Sequence, residues 1–242
     1  QAPAWERTPA RPTSFPSSGL GTHAGSPHLV PKLQLGNARR LAPPRSQAPA
    51  WERTQWLVVG SCSTRFMNVR FLSSAFEAAR SADPDAKLFY NDYSATNATK
   101  REKIYNLLSE LKTQNLVDGM GLQGHWNTEA PSDDLISAAF NRYSSLGLEL
   151  RVSELDVSIY PNNSDPESEY TSDIALKQAI AYGRFFRLFR QYRDDITGVT
   201  TWGMADNHTW LDNFPVTDRK NYPLLFDINL VPKQAYFTII NF

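Results

Sequence analysis

Two acidic side chains lie at the end of a predicted buried strand, and their spacing places two carboxylates where they could act together in catalysis. The apolar run at 150–156 ends in Glu154 and Asp156. Because side chains on a strand alternate between its two faces, both carboxylates point to the same side. Charges on a buried parallel strand cost free energy unless they have a partner or a task. We therefore predict that Glu154 is a nucleophile, the alternative being an acid that closes a strand at the surface.

Two other predicted strands also end in polar and aromatic groups. The residues that follow them are Gln123, His125, Trp126, Trp202, Asp206, His208 and Trp210. Indole rings are large, flat and apolar, and they stack well on the apolar faces of sugar rings. Carboxylates beside tryptophans thus predict a sugar-cleaving site. Asp156 is predicted to hold a histidine or to tune Glu154, and His125 is predicted to belong to this site or to the core. No compact His, Asp or Cys ligand spacing accompanies His125, so no metal is predicted.

The elements that must position these residues alternate along the chain from residue 56. Strands are predicted at 56–59, 87–90, 120–123, 150–157 and 199–202. Helices are predicted at 71–82, 99–115, from Ser132 to Gly147, after residue 169 and from about Lys233. About five strand–helix repeats predict a parallel α/β sheet, whose ligand site lies at the carboxyl ends of the strands. Asn91, Asp92 and Tyr93 end one strand, and Asn91 and Asp92 fit either a turn or a polar rim there.

The first 55 residues differ from the rest of the chain. They hold nine of the sixteen prolines and seven Lys or Arg against Glu6 and Glu52, without a helical or strand period. The octapeptide at 1–8 returns at 47–54. We predict a disordered leader of fusion, cloning or gene-model origin; a proline-rich tether or recognition ligand is the alternative. The predicted domain boundary lies between residues 55 and 56.

Charge and composition exclude several classes of function. The formal net charge of the 242 residues is zero, which gives no reason to expect nucleic acid or an anionic membrane as a partner. No apolar run is long enough to span a bilayer, and no signal peptide is visible at the N-terminus. The single Cys62 excludes an internal disulfide. No glycine-rich phosphate loop or Gly-x-Ser-x-Gly turn is present, and no cofactor is predicted.

Six motifs in sequence order carry a family resemblance. They are Ala82-Asp83-Pro84-Asp85-Ala86-Lys87-Leu88, Asn91-Asp92-Tyr93, Gly121-Leu122-Gln123-Gly124-His125-Trp126, Ser153-Glu154-Leu155-Asp156, Trp202-Gly203-Met204-Ala205-Asp206 and Pro223-Leu224-Leu225-Phe226-Asp227. With them the chain, from about residue 71 to its end, resembles the C-terminal part of family 10 glycoside hydrolases, mainly endo-β-1,4-xylanases. The resemblance implies a (β/α)8 TIM barrel that cleaves xylan with retention of configuration.

The resemblance also implies roles for individual residues. Glu154 takes the position of the nucleophile, and Gln123, His125 and Asp156 match the groups that hydrogen-bond around it. Substrate-binding positions of the family correspond to Tyr93, Trp202 and Trp210, with Asn91 as a supporting residue. Xylan or xylo-oligosaccharides are the implied partners, and the implied protein is a secreted monomer that binds neither nucleic acid nor membranes. Glucan in place of xylan stays an open alternative.

The chain departs from the family pattern in two places. The acid/base glutamate of the family closes an earlier strand in a Trp-Asp-Val-Val-Asn-Glu pattern, and the counterpart at 56–61 has Gly60 and Ser61 where Asn and Glu belong. Retaining hydrolysis needs two carboxyl groups about 5 Å apart. The first three strands of the family also have no counterpart before Trp56. We therefore expect an incomplete barrel, roughly the last five βα units.

Three hypotheses follow from this sequence. The first is a truncated or rearranged xylanase with Glu154 as nucleophile and impaired hydrolysis, because losing general-acid help costs roughly 10²–10⁴-fold in rate. The second is a non-catalytic protein that binds xylo-oligosaccharides on Trp202 and Trp210. The third is a gene fragment without a function of its own.

Overall fold

The computed structural model describes residues 56–60 and 69–241, with side chains from residue 70 onward. The predicted leader at 1–55, Ser61 and Cys62 lie outside the described residues. Strands and helices alternate as predicted. The strands are β1 (Trp56–Gly60), β2 (Lys87–Asp92), β3 (Gly119–Leu122), β4 (His125–Asn127), β5 (Glu149–Ser158) and β6 (Ile196–Thr201). The helices are α1 (Val69–Ala82), α2 (Ala98–Thr113), α3 (Asp133–Ser144), α4 (Ser172–Gln191) and α5 (Gln234–Ile240).

All strand pairs in the described sheet are parallel. The order is β1-β2-β3-β5, with β6 on the far side of β5. The short β4 also pairs with β5, further along its length than β3, so β3 and β4 act as one strand with a break at residues 123–124. Gly124 lies in that break with φ +84°, a backbone region that glycine enters without strain. Parallel pairing brings the carboxyl ends of these strands to one edge of the sheet.

The core lies between the sheet and the helices that cover it. The sheet contributes fully buried side chains such as Leu88, Met120 and Leu150, and α3 contributes Phe140 and Tyr143. Helix α3 begins where the sequence predicts, because the Ser132 hydroxyl accepts a hydrogen bond from the backbone N–H of Leu135. Leu135 itself is exposed. The apolar stripes on the helices thus hold each βα unit against the sheet, and the strand ends are left free for a site.

A long segment follows β6 and contains two short 3-10 helices, Asp206–His208 and Trp210–Asp212. It returns to the sheet at Pro223, whose carbonyl accepts from the N–H of Val157 in β5, and Phe226 then bridges Ala205 within the segment. Helix α4 holds the return, because the Gln178 side chain donates to the carbonyls of Val157 and Tyr222. The segment therefore crosses the carboxyl ends of the strands before the chain reaches α5.

Candidate active site

Glu154 occupies the centre of the site, in β5 just beyond the last residue that pairs with β3. The Nδ2 atom of Asn91 donates to Oε1 of Glu154 at 2.7 Å, and Nε2 of His125 lies 3.2 Å from Oε2. Both carboxylate oxygens are therefore held, one from β2 and the other from β4. The side chain of Glu154 keeps 15% of its surface exposed, so the carboxylate is fixed but still accessible. A fixed, accessible carboxylate is suited to nucleophilic attack.

The orientation of Asn91 is set by its neighbours. The Ser153 hydroxyl donates to Oδ1 of Asn91, which leaves the Nδ2 group to face Glu154. Gly121 provides the space, because a Cβ atom there would lie 2.6 Å from Oδ1 of Asn91. Asn91 and Asp92 are both buried within β2 and do not lie in a turn after it. The Asn91 amide is thus held in one orientation, with its Nδ2 group toward Glu154.

His125 lies between two carboxylates. Its Nδ1 atom is 3.1 Å from Oδ2 of Asp156, an ion-pair distance without the alignment of a hydrogen bond, while Nε2 contacts Glu154. Burial lowers the pKa of His125, but Asp156 and Glu154 together outweigh burial and raise that pKa to about 9. The imidazole is therefore protonated at neutral pH. It places a positive charge beside the Glu154 carboxylate.

Asp156 connects this cluster to the aromatic residues after β6. It is 1% exposed, and its Oδ2 atom accepts a hydrogen bond from Nε1 of Trp210 at 2.8 Å. The Trp210 ring meets His125 edge-on at 4.9 Å between centroids, and Trp202 lies 6.2 Å from His125 in a similar geometry. Trp202 is 48% exposed. The structure thus brings both predicted tryptophans to the histidine that contacts Glu154.

Tyr93 lies just beyond β2 and is 45% exposed. Its backbone N–H donates to Oδ1 of Asp92, which also accepts from Nζ of Lys100. The Lys100 ammonium lies 3.3 Å from the centre of the Tyr93 ring, in a cation–π contact. The Tyr90 hydroxyl donates to the second oxygen of Asp92. Asp92 therefore does not face Glu154 but fixes the residue that follows it.

Gln123 touches the centre of the site through its backbone. Its carbonyl accepts from the N–H of Glu154 at 2.7 Å, and its own N–H donates to the carbonyl of Asp92 at 3.1 Å. The pairing of β5 with β6 shifts register between Val152 and Leu155. Such irregularities re-aim side chains at strand ends. The backbone of Gln123 and this shift together set the direction of the Glu154 side chain.

Asp206 and His208 do not join the cluster around Glu154. Asp206 is 4% exposed and forms an ion pair with Lys233 at 2.9 Å, while His208 is exposed. Burial raises the pKa of Asp206 and lowers that of Lys233, and the attraction within the pair opposes both changes. Asp206 also accepts from the N–H of Leu224. Its task in the described fold is to hold the segment after β6.

Three contacts that build the site or hold the segment beside it were missed at the level of sequence. Ser153 gives a weak signal, as a polar residue inside an apolar strand beside Glu154. Lys100 gives none, because it is one of several charged residues in the first turns of α2. The pairing of Asp206 with Lys233 spans 27 residues without a recognisable spacing. These contacts come from tertiary structure.

Comparison with known proteins places this geometry in a family. The family model for glycosyl hydrolase family 10 matches residues 56–242. The chain belongs to glycosyl hydrolase family 10.

Relatives of the family-10 chain are xylanases. Endo-1,4-beta-xylanase B of Paenibacillus barcinonensis is 48% identical over 190 residues, which cover 77% of this chain and 55% of the relative. An endo-1,4-beta-xylanase of Geobacillus stearothermophilus is 43% identical over 199 residues, which cover 81% of this chain and 60% of the relative. The chain thus spans little more than half the length of these relatives.

Solved structures of the family share the fold. A family-10 xylanase of Thermobacillus composti superposes with a TM-score of 0.71 at 42% identity, over 75% of this chain and 60% of the other. A xylanase of Paenibacillus barcinonensis, solved with a conduramine derivative, gives 0.68 at 50% identity, over 70% and 52%. The predicted fold class, a partial TIM barrel of the (β/α)8 type, is confirmed.

Metal-binding clusters and membrane-spanning helices are both absent from the described residues. Within 56–60 and 69–241, no group of three or more His, Cys, Asp or Glu side chains is placed to hold a metal ion. In the same part of the family-10 chain, no helix has both the length and the apolar character that crossing a bilayer requires.

Proposed function

We propose that the chain binds β-1,4-linked xylose chains at this site and that Glu154 is the nucleophile of a retaining hydrolysis. The observation that supports this most is the double restraint on the Glu154 carboxylate, by Asn91 at 2.7 Å and by His125 at 3.2 Å. The substrate class is proposed from the xylanase relatives, of whose length this chain covers 55% and 60%. A fixed anion with an adjacent positive charge is suited to attack on an anomeric carbon.

Each remaining site residue has a task in this proposal. Asp156 holds His125, and Gln123 and Asn91 fix the direction of Glu154. Trp202, with nearly half of its surface exposed, offers an indole to the sugar. Tyr93 is held by Lys100 on one side of its ring and can meet a sugar with the other. Trp210 closes the side of the site next to His125.

Proton donation is the weak step in the proposed reaction. A sugar leaving group departs as an alkoxide unless an acid protonates it, and retaining enzymes place a second carboxyl group about 5 Å from the nucleophile for this purpose. The matching position in this chain is Ser61, outside the described residues. We therefore propose that hydrolysis of xylan is slow, by roughly 10²–10⁴-fold, while the attack by Glu154 is retained.

A substrate that needs no proton tests the nucleophile directly. On incubation with 2,4-dinitrophenyl β-xylobioside, an oxygen of Glu154 attacks the anomeric carbon, the bond to the phenolic oxygen breaks, and dinitrophenolate leaves as a stable anion. Mass spectrometry is expected to show a xylobiosyl ester on the peptide that contains Glu154. Added azide, a small anionic nucleophile, should release the sugar faster.

Two variants complete this test. Glu154→Gln removes the attacking anion and is expected to form no ester. Glu149→Gln is the matched control, because Glu149 lies on the same strand at its other end and pairs with Lys87 on the surface; it should form the ester at the parent rate. An ester on another residue, or none in the parent chain, would refute the proposed nucleophile.

Binding without chemistry is the second candidate function. It is favoured by the exposed rings of Tyr93 and Trp202, 45% and 48% exposed, beside a site that needs no proton donor to hold a sugar. Calorimetric binding of xylohexaose together with no ester would identify it. No binding and no cooperative thermal transition would leave the gene-fragment hypothesis. Secretion, a monomeric state, and the absence of nucleic-acid and membrane partners stay predictions of the sequence.

A further inference from the structure

Phe214 is an exposed ring in the segment that follows β6, and none of the tasks above involves it. Its side chain is 59% exposed. The ring stacks on Trp210 with 5.4 Å between centroids and 21° between planes. A phenyl group held in water in this way contributes little to the hydrophobic core. Because this exposed ring stacks on Trp210, it extends the aromatic surface of the site outward.

The backbone around Phe214 is restrained on both sides. Before it, the Thr209 hydroxyl accepts from the N–H of Leu211 at 3.2 Å. Asp212, two residues before the ring, is joined to the chain after it: its carbonyl accepts from the N–H of Arg219 at 3.1 Å, and its carboxylate accepts from the N–H of Asn221 at 2.8 Å. The ring is therefore held where it is before any ligand arrives, which lowers the entropic cost of binding.

Stacking by Phe214 also limits what Trp210 can do. Phe214 covers one face of the indole, and His125 approaches from another direction at 4.9 Å with 63° between planes. The Nε1 atom of Trp210 is engaged by Asp156. A sugar therefore cannot contact the covered face of Trp210 directly, and on this side it contacts Phe214 instead. The accessible aromatic surface continues outward from Trp210 to the outer face of the phenyl ring.

We infer that Phe214 is the outer end of the sugar-binding surface and that it stacks on a xylose unit beyond the one held at Glu154. The inference rests on the proposed function and adds a contact to the same site. The occupant is a ring of a β-1,4-linked xylose chain, because the surface is continuous with the one that leads to His125 and Glu154. The ring selects for chain length, since a short oligosaccharide at Glu154 does not reach it.

Binding of oligosaccharides of increasing length tests this inference. Affinities for xylobiose through xylohexaose are measured by calorimetry in the Glu154→Gln background, so that no ligand is cleaved. Phe214→Ala is expected to leave xylobiose binding unchanged and to weaken the longer ligands by about 2–10-fold, the range expected for one aromatic stacking contact. Phe214→Trp, which keeps a flat ring, is expected to retain the parent affinity for all lengths.

Phe237 offers a matched control. It is 48% exposed and lies on α5, so Phe237→Ala removes an exposed ring from the helical layer and not from the segment after β6, and it should change no affinity. If Phe214 only shields Trp210, Phe214→Ala would weaken all lengths by the same factor, and this result would refute the inference, as would no loss at any length. If the Glu154→Gln chain bound no xylo-oligosaccharide, sugar binding itself and the inference would both be wrong. A Glu154 ester in the parent with a length-independent loss would refute the inference alone.

Discussion

The site has two halves that are held in different ways. In the strand half, Asn91, His125, Glu154 and Asp156 lie on β2, β4 and β5, and the ladder of backbone hydrogen bonds sets their positions. His125, for example, lies directly opposite Asp156 in the β4–β5 register. The loop half, which carries Trp202, Trp210 and Phe214 after β6, has only separate backbone hydrogen bonds, such as the one from the N–H of Trp202 to the carbonyl of Leu155. Its positions therefore depend more on individual side-chain contacts.

One buried ion pair takes the place of the ladder in the loop half. Oδ1 of Asp206 accepts from the N–H of Leu224, and Oδ2 accepts from Nζ of Lys233, which also donates to the carbonyl of Tyr222. The beginning of the loop is thereby tied to its end and to the residue before α5. The difference indicates that the strand half tolerates the loss of single contacts, whereas the loop half depends on a few buried charges.

The largest effect is expected from breaking the ion pair of the loop half. Lys233→Met leaves the Asp206 carboxylate buried without its cation and should lower the free energy of unfolding by about 3–5 kcal/mol. Urea denaturation measures this loss. Lys220→Met is the matched control, because Lys220 also pairs with an aspartate of the loop, Asp212, but is 65% exposed; solvent screens this pair, so a much smaller loss is expected. Equal losses in the two variants would contradict the role given to Asp206.

A somewhat smaller effect is expected in the strand half when pH changes. The pKa of His125 is raised from 6.5 to about 9 in the folded chain. The proton that His125 holds therefore stabilises the fold fully below pH 6.5, and this contribution is lost as the pH rises through 9. Between these values we expect the free energy of unfolding to fall by about 3 kcal/mol.

The measurement is urea denaturation at several pH values between 6 and 9.5. His125→Asn removes the titrating group and should make the stability less dependent on pH in this range. His208→Asn is the control, since His208 is exposed; it should keep the parent pH dependence. A parent stability that rises with pH across this window would show that the carboxylates around His125 do not hold a proton on it.

The smallest effect concerns the hydrogen bond that joins the two halves. Trp210→Phe removes the Nε1–H that Asp156 accepts at 2.8 Å and should lower the free energy of unfolding by about 1–3 kcal/mol. Trp202→Phe, at a ring that is 48% exposed, should change it by no more than about 0.5 kcal/mol. Limited proteolysis provides a second measurement. We expect the protease to cut the loop in Trp210→Phe but not in Trp202→Phe. That result would show that the Trp210–Asp156 hydrogen bond is needed to hold the loop and that the Asp206–Lys233 pair alone is not sufficient.

The sequence by itself predicted that the two carboxylates of the strand half share a side and that a parallel sheet carries them, and the reason is periodicity. Alternation at 150–156 places Glu154 and Asp156 on one side of a strand, and in the fold both contact His125. Strand–helix alternation predicts a parallel sheet, whose carboxyl ends necessarily share an edge. The motifs identified the family, which the comparison confirmed over residues 56–242. These features are local in sequence or follow from general topology.

Only the tertiary structure decided the loop half and the fine geometry of the strand half. The position of Asp206 after a strand predicts a site residue, but in the fold Asp206 pairs with Lys233, 27 residues away. The stacking of Phe214 on Trp210 and the approach of Lys100 to Tyr93 depend on how loops and helix ends lie over the sheet. Local periodicity carries no information about such contacts. They form between residues whose separation in the chain follows no rule, and packing alone brings them together.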